Sequence, residues 1–179
     1  MEHEHHHAHG PANRRRIMLA TAAPLFVCEP LAEAPGAAVI ALHGPHGITA
    51  EFERALRALA AHGYLAAAPF HYYRDGGPEY VSEAAASSAY AALDADDIDA
   101  DVDAAIEHVS GRLGLPVTAV LGPDSVARAL RRARQRHPEL AAVALPESDA
   151  DAPELAPAGW LTRTTSGVSG SSAPSPRDR

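Results

Sequence analysis

The amino-acid sequence predicts an α/β fold with a mostly parallel, doubly wound sheet. Three observations lead there. Four short apolar runs, at 37–43, 64–68, 117–121 and 140–145, read as strands buried on both faces. Segments with helical periodicity lie between them, which is the pattern of βαβ units. The helices carry stop and start residues at their ends, such as Gly63 after the first and an acid-rich start to the second.

The elements follow in order. Residues 1–13 are polar and His-rich and are expected to be disordered. Ile17–Ala20 and Leu25–Cys28, separated by Thr21-Ala22-Ala23-Pro24, read as an antiparallel hairpin. Pro35-Gly36 precedes the apolar run Ala37–His43. A helix opens at Ile48 or Thr49 and runs to about Ala61, with Phe52, Leu56 and Leu59 at helical spacing; His62-Gly63 closes it. Tyr64–Ala68 is a strand stopped by Pro69. Residues 70–90 read as an irregular excursion turning at Gly76-Gly77-Pro78. Asp94–Leu113 is a helix with Ile98, Val102, Ile106 and Val109 on one face. Val117–Leu121, a helix over Ser125–His137, and a strand at Leu140–Leu145 complete the pattern. From Pro146 the pattern fails, and residues 162–179 read as a disordered tail. The expected division is 1–13, a domain at 14–150, and an irregular to disordered tail at 151–179.

Composition narrows the function classes. The net charge of −8 argues against nucleic acid as a general partner. No run approaches 18 apolar residues, and the N-terminal stretch lacks a signal-peptide core, so no membrane association is expected. The single cysteine, Cys28, fits a reducing cytoplasm and reads as a strand thiol. All fifteen basic residues are Arg, which with the abundant Ala reads as codon bias. Ligands of a parallel sheet bind outside the carboxyl ends of its strands. Those ends are His43 to Gly47, Phe70 to Tyr73, Gly122 to Ser125, and Pro146 to Ser148.

Two stretches carry a family resemblance: Ala38-Val-Ile-Ala-Leu-His-Gly-Pro-His-Gly47, and Ala61-His-Gly-Tyr-Leu-Ala-Ala-Ala-Pro69. With Asp96–Asp103 and Arg136–Leu140, in this order, they resemble the dienelactone hydrolase family of the α/β-hydrolases over about residues 14–145. The resemblance implies hydrolysis of a small ester or lactone without a cofactor or metal. It implies that the strand–turn–helix at Gly122-Pro123-Asp124-Ser125-Val126 replaces the family's Gly-x-nucleophile-x-Gly turn. The nucleophile aligns with Asp124, and the following glycines align with Val126 and Ala127. A β-branched Val there is expected to open or distort the turn. The acid that often follows the first strand's His aligns with Gly44, and the Asp after Ala-Pro with Phe70. One oxyanion-hole N–H aligns with Pro45, which has none; such a loss is worth roughly 3–4 kcal/mol elsewhere.

If the chain is active, Asp124 or Ser125 attacks, Ser125 N–H is the surviving oxyanion donor, and His43, Gly44, His46 and His71 form the substrate region. After Ser125 the sequence has a single histidine, His137, about 18–20 Å along the helix from the turn, out of reach as a base. The family's last two strands, which bear acid and base, look missing, and the tail looks like replaced or out-of-frame sequence. The expectation is therefore an impaired hydrolase, or pseudoenzyme. The alternatives are a non-catalytic binding or oligomerisation module joined through an open sheet edge, and a decayed product without selected function.

Each candidate residue has a plainer reading. Asp124 reads as a helix N-cap and Ser125 as a cap or first-turn residue. His43, His46, His71 and Asp124 could bind zinc or nickel, but an ordinary His-Gly turn is the simpler assignment. His3, His5, His6, His7 and His9 form a chelating tract or tag-like tail. Asp94–Asp103 resembles a calcium loop but has Ala104 and Ser110 where Gly and Glu are required, so it reads as a solvated helix face. Arg131, Arg132, Arg134 and Arg136 likewise read as a solvated basic face.

Overall fold

The computed structural model describes residues 12–19, 22–31, 33–73 and 82–145. Six strands form one sheet: β1 Ala12–Ile17, β2 Leu25–Pro30, β3 Ala37–Ala41, β4 Tyr64–Pro69, β5 Val117–Pro123 and β6 Ala141–Leu145. Their spatial order is β1-β2-β4-β3-β5-β6. The outer pairs β1–β2 and β2–β4 are antiparallel, and β4, β3, β5 and β6 are parallel. Helices are α1 Ala50–Ala61, α2 Glu83–Ala92, α3 Ala95–Glu107 and α4 Ala127–Arg136. The α/β architecture with its mostly parallel sheet is the one the alternating pattern predicts.

Strand residues alternate between faces, and both faces are covered. On one side Val39, Ala41, Ala66, Ala68, Ala119 and Leu121 pack on Leu56, Leu59 and Ala60 of α1. On the other, Ala38, Ile40, Leu65, Ala67 and Val120 pack on Ile98, Val102, Ala105 and Ile106 of α3 and on Ala129, Leu130 and Ala133 of α4. The central strands are therefore apolar without a polar face, as parallel strands under helices must be.

Local chemistry sets the helix ends. The Thr49 hydroxyl accepts the Phe52 N–H at 3.1 Å and starts α1. Gly63, at φ 87°, turns the chain out of it into β4, a conformation side-chain-bearing residues rarely adopt. Asp94 caps α3 through the Asp96 N–H at 2.7 Å.

Four boundaries differ from expectation. β1 runs from Ala12, inside the stretch read as disordered, to Ile17, where the first hairpin strand was read to begin, because Ala12 to Ile17 pair in register with Pro30 to Leu25. The excursion read at 70–90 gives way to α2, which starts at Glu83, runs on to Ala92 and is capped by Ser82 accepting the Ala85 N–H at 3.1 Å. Its short Ala/Ser-rich sequence has just Ala86 buried, so no apolar stripe announced it. The third helix is α-helical only to Glu107, and His108–Arg112 widens into a π turn. The segment after β5 enters a 3₁₀ turn at Asp124–Val126 before α4 begins. The readings of residues 1–11, of Gly76-Gly77-Pro78, of Pro146–Ser148 and of the tail lie outside the described residues. No helix among the described residues is long and apolar enough to cross a membrane.

Candidate functional site

The carboxyl ends of β3 and β4 carry a buried polar cluster. His43 follows β3, His71 follows β4, and Asp101 rises from the second turn of α3; they are 0%, 4% and 4% exposed. The His71 backbone N–H donates to His43 Nε2 at 3.1 Å. His43 Nδ1 lies 2.9 Å from the Gly44 carbonyl oxygen, an acceptor. Those two contacts require the neutral tautomer with its proton on Nδ1. Burial first, and then the neighbouring His71 imidazole, push the His43 pKa down to about 3, while the bond to the Gly44 carbonyl acts the other way. Phe52, Phe70, His71 and Tyr72 stack around the ring, with Tyr72 5.2 Å away between centroids.

His71 Nδ1 lies 3.0 Å from Asp101 Oδ2, and Asp101 Oδ1 accepts the Ala23 N–H at 2.8 Å. One carboxylate thus ties the loop before β2 and the turn after β4 to α3. His71 Nε2 is buried and has no hydrogen-bond partner among the described residues. Sequence reasoning placed His43 and His71 at this edge but missed Asp101. Its signal was there: it stands three residues after Ile98 and one before Val102, a lone acid on the buried stripe of α3.

The turn after β5 is built differently. Asp124 and Ser125 are exposed. Asp124 caps neither the 3₁₀ turn nor α4, which corrects the N-cap reading. The cause is local: Asp124 is itself the first residue of the 3₁₀ turn, so its side chain is not behind the free N–H groups it would have to reach. Val126 is 1% exposed and sits in the core beside Leu130. A Cβ on Gly122 would lie 2.4 Å from Val126 Cγ2, so glycine there makes room for that side chain. No non-glycine residue among those described has positive φ, so the turn lacks the strained backbone that exposes a nucleophile in hydrolase elbows. Ser125 and Pro123 flank Gly44: a Cβ there would lie 3.3 Å from Ser125 Oγ and from Pro123 Cγ. The Pro45 carbonyl accepts the Tyr72 hydroxyl at 2.8 Å.

The structure brings His43, Gly44 and His71 together and sets Ser125 beside Gly44. His46 instead reaches outward to Glu83 of α2 at 3.0 Å, and this contact holds the Glu83 carboxyl below its ordinary pKa. Both His43 nitrogens are occupied, which removes it as a metal ligand. No group of three metal-ligating side chains in holding geometry occurs among the described residues.

The aspartates of α3 are not merely a solvated face. Arg132 pairs with Asp96 and Asp99 at 2.6 Å, and Arg136 with Asp99 at 2.6 Å and Asp103 at 3.0 Å. Asp96 and Asp99 raise the Arg132 pKa. Arg134 donates to the Leu140 carbonyl at 2.7 Å. Much of the basic face of α4 is thus spent on α3 and on the start of β6. His137 is held against Asp103 at 2.8 Å. Cys28 is buried, and burial raises its thiol pKa, leaving it an unreactive core residue.

Comparison with known proteins agrees with this architecture. The sequence pattern of the dienelactone hydrolase family matches residues 25–116. That span contains His43, His71 and Asp101 and stops before the turn at Gly122. The structure is similar to that of a Klebsiella pneumoniae subsp. pneumoniae MGH 78578 protein described as a "putative dienelactone hydrolase", at 24% identity and TM-score 0.61. The alignment covers 73% of this chain and 56% of that one. It is also similar to TT1662 from Thermus thermophilus, at 19% identity, TM-score 0.54, and 87% and 67% coverage. A third similar structure is a cold-adapted esterase from an Arctic intertidal metagenomic library, at 16% identity, TM-score 0.51, and 65% and 51% coverage. The chain spans little more than half the length of the Klebsiella protein. No curated protein matches it. Its sequence match over half its length, and a sheet of the same fold, make this chain a member of the dienelactone hydrolase family.

Proposed function

We propose that this chain is a hydrolase-fold protein whose resemblance points to small esters or lactones, but whose turnover of them is impaired. The observation that carries the reading is the Asp124–Val126 turn, a relaxed 3₁₀ segment with Val126 buried where the family has glycine. Asp124 has no hydrogen-bonded base beside it among the described residues. His43 is neutral with both nitrogens engaged, and His137 is tied to Asp103. Pro45 offers a carbonyl where an oxyanion needs a donor. The test is hydrolysis of a small activated ester and of a dienelactone by the purified chain, beside the Asp124→Ala/Ser125→Ala double variant. Equal background rates are expected. Turnover by the parent that disappears in the double variant overturns the proposal and makes the turn a working, rearranged site.

A second reading is a binding or self-assembly module. It is favoured by β6, which among the described residues pairs with β5 alone. Sedimentation to a concentration-independent monomer would count against it.

A further inference from the structure

We propose that the outer edge of β1 takes up an acidic, extended segment of another protein as an added strand, with carboxylates of that segment against Arg14 and Arg16. The proposal does not rest on the hydrolase reading. β2, β4 and β3 lie between β1 and the strand that leads into the Gly122–Val126 turn.

Among the described residues β1 pairs with β2 alone. The alternation of the strands shows which of its backbone groups that pairing leaves over. Along a strand the N–H and C=O groups of successive residues bond to opposite sides. The Pro24 carbonyl accepts the Phe70 N–H at 3.0 Å, on the β4 side. The even-numbered residues of β2 therefore bond towards β4, and Leu25, Val27 and Glu29 bond towards β1, where they meet Ile17, Arg15 and Asn13. The prolines agree with this assignment. Pro69 opposite Leu25 and Pro30 opposite Ala12 have no N–H, and both fall where the ladder needs none. Ala12, Arg14 and Arg16 thus turn their N–H and C=O groups outward, with no strand to receive them among the described residues. An edge of this kind is a template for another strand.

Charge selects the occupant. Arg14 and Arg16 stand on the face that α1 covers: Arg14 pairs with Glu53 of α1, and the Arg16 guanidinium lies 5.6 Å from the centre of the Phe26 ring. Arg57 donates to the same Glu53 oxygen at 3.2 Å. Arg54, one turn before Arg57, is exposed and has no ion pair among the described residues. Glu51 lies about 160° round the helix from Glu53. Four guanidinium groups therefore share this flank with one carboxylate, in a protein whose net charge is −8. The Arg14 side chain remains 60% exposed despite its ion pair. In an added strand, the residues opposite Arg14 and Arg16 have their side chains on the same face as those arginines. An acid at each of the two positions meets a cation. On the other face Arg15 is already paired with Glu29 at 3.3 Å, so the residue between the two acids needs no charge. A second copy of this chain fits poorly. Two-fold pairing of β1 with itself sets arginine opposite arginine, and like charges so opposed are destabilising. Arginines guard an edge against its own kind; the same charges favour an acidic strand.

The experiment follows amide hydrogen exchange by NMR in the full 15N-labelled chain at constant ionic strength. The probes are acetyl-Thr-Glu-Val-Glu-Val-Thr-amide and its counterpart with Gln for both Glu. The expected result is saturable slowing of exchange at Arg14 and Arg16 with the Glu peptide. Arg15 and Ile17, whose N–H groups already bond to β2, should not change. The Gln peptide should bind about tenfold more weakly, the combined size of two cross-strand charge pairs. Arg14→Gln/Arg16→Gln, at two exposed positions, should weaken binding of the Glu peptide by about the same factor. No slowing at Arg14 and Arg16, equal binding of the two peptides, or unchanged affinity in the double variant overturns the proposal and leaves the arginines as guards of a free edge. Slowing that appears without peptide as protein concentration rises also overturns it, and makes the edge a self-association surface.

Discussion

The turn after β4 and the turn after β5 leave the same edge of the same sheet, and they are held in opposite ways. The first is wired: His71 donates through its backbone to His43 and faces Asp101 through its ring, and the three side chains are almost fully buried. The second rests on shape. Asp124 and Ser125 are exposed, and what fixes the turn is Val126 in the core against Gly122. Buried polar groups are strongly constrained because each lost partner leaves a desolvated atom behind. Exposed polar groups on a shape-fixed turn can change freely. The polar constraint in this domain therefore lies on the Asp101 side, within the span that matches the family, and not at the turn where the family places its nucleophile.

Removing Asp101 should show the largest effect. Asp101→Ala strands the Ala23 N–H and His71 Nδ1 together, and the expected loss is about 2–4 kcal/mol in urea unfolding. A loss below about 1 kcal/mol would mean that water enters and the cluster is not truly wired.

Acid sharpens the same point through His43. Its folded pKa lies near 3 against an ordinary 6.5, so the unfolded chain takes up a proton that the folded chain refuses. Stability is fully present above pH 6.5 and falls as pH drops through that value towards 3. At about 1.4 kcal/mol per pH unit for one proton, the loss between pH 6.5 and 5 approaches about 2 kcal/mol. His43→Gln, which keeps an acceptor for the His71 N–H, should flatten that slope; an unchanged slope would show that another group sets it.

Gly122→Ala probes the shape-fixed turn. The new Cβ would overlap Val126 Cγ2, and overpacking of this kind costs about 1–3 kcal/mol. Val126→Ala in the same chain should recover much of the loss in thermal unfolding, a coupling expected only if the two side chains compete for one space.

The smallest effect is expected at the residues most exposed to solvent. Asp124→Ala/Ser125→Ala should shift stability by no more than about 0.5 kcal/mol. A larger shift would reveal a partner for these side chains and bring the two turns closer in kind.

Most of the fold is legible in the sequence. Thr49 and Gly63 bounded α1, and the apolar runs marked β3, β4 and β5, because a parallel sheet buried on both faces leaves little room for polar residues. α2 was not legible, since its Ala/Ser-rich sequence buries a single residue and so has no stripe to read. At the site, His43, Gly44, His71 and Ser125 were placed at one edge from strand ends alone. Asp101 could not be linked to His71, thirty residues away, without knowing which face of α3 lies against the turn after β4.

The sequence by itself determined the alternation of β3, α1, β4, α3, β5, α4 and β6, the apolar faces that join them, and the departure of Gly122-Pro123-Asp124-Ser125-Val126 from a nucleophile turn. The first two follow from local patterns of periodicity, caps and side-chain size; the third is what the family resemblance implies for that turn. The tertiary structure alone decided that His43 is neutral, that Asp101 faces His71, that Arg132 and Arg136 bind the aspartates of α3, and that Asp124 caps nothing. Each of these depends on distances between segments far apart in the chain, and on burial, which changes the energy of a charge or a hydrogen bond without changing the residue that bears it.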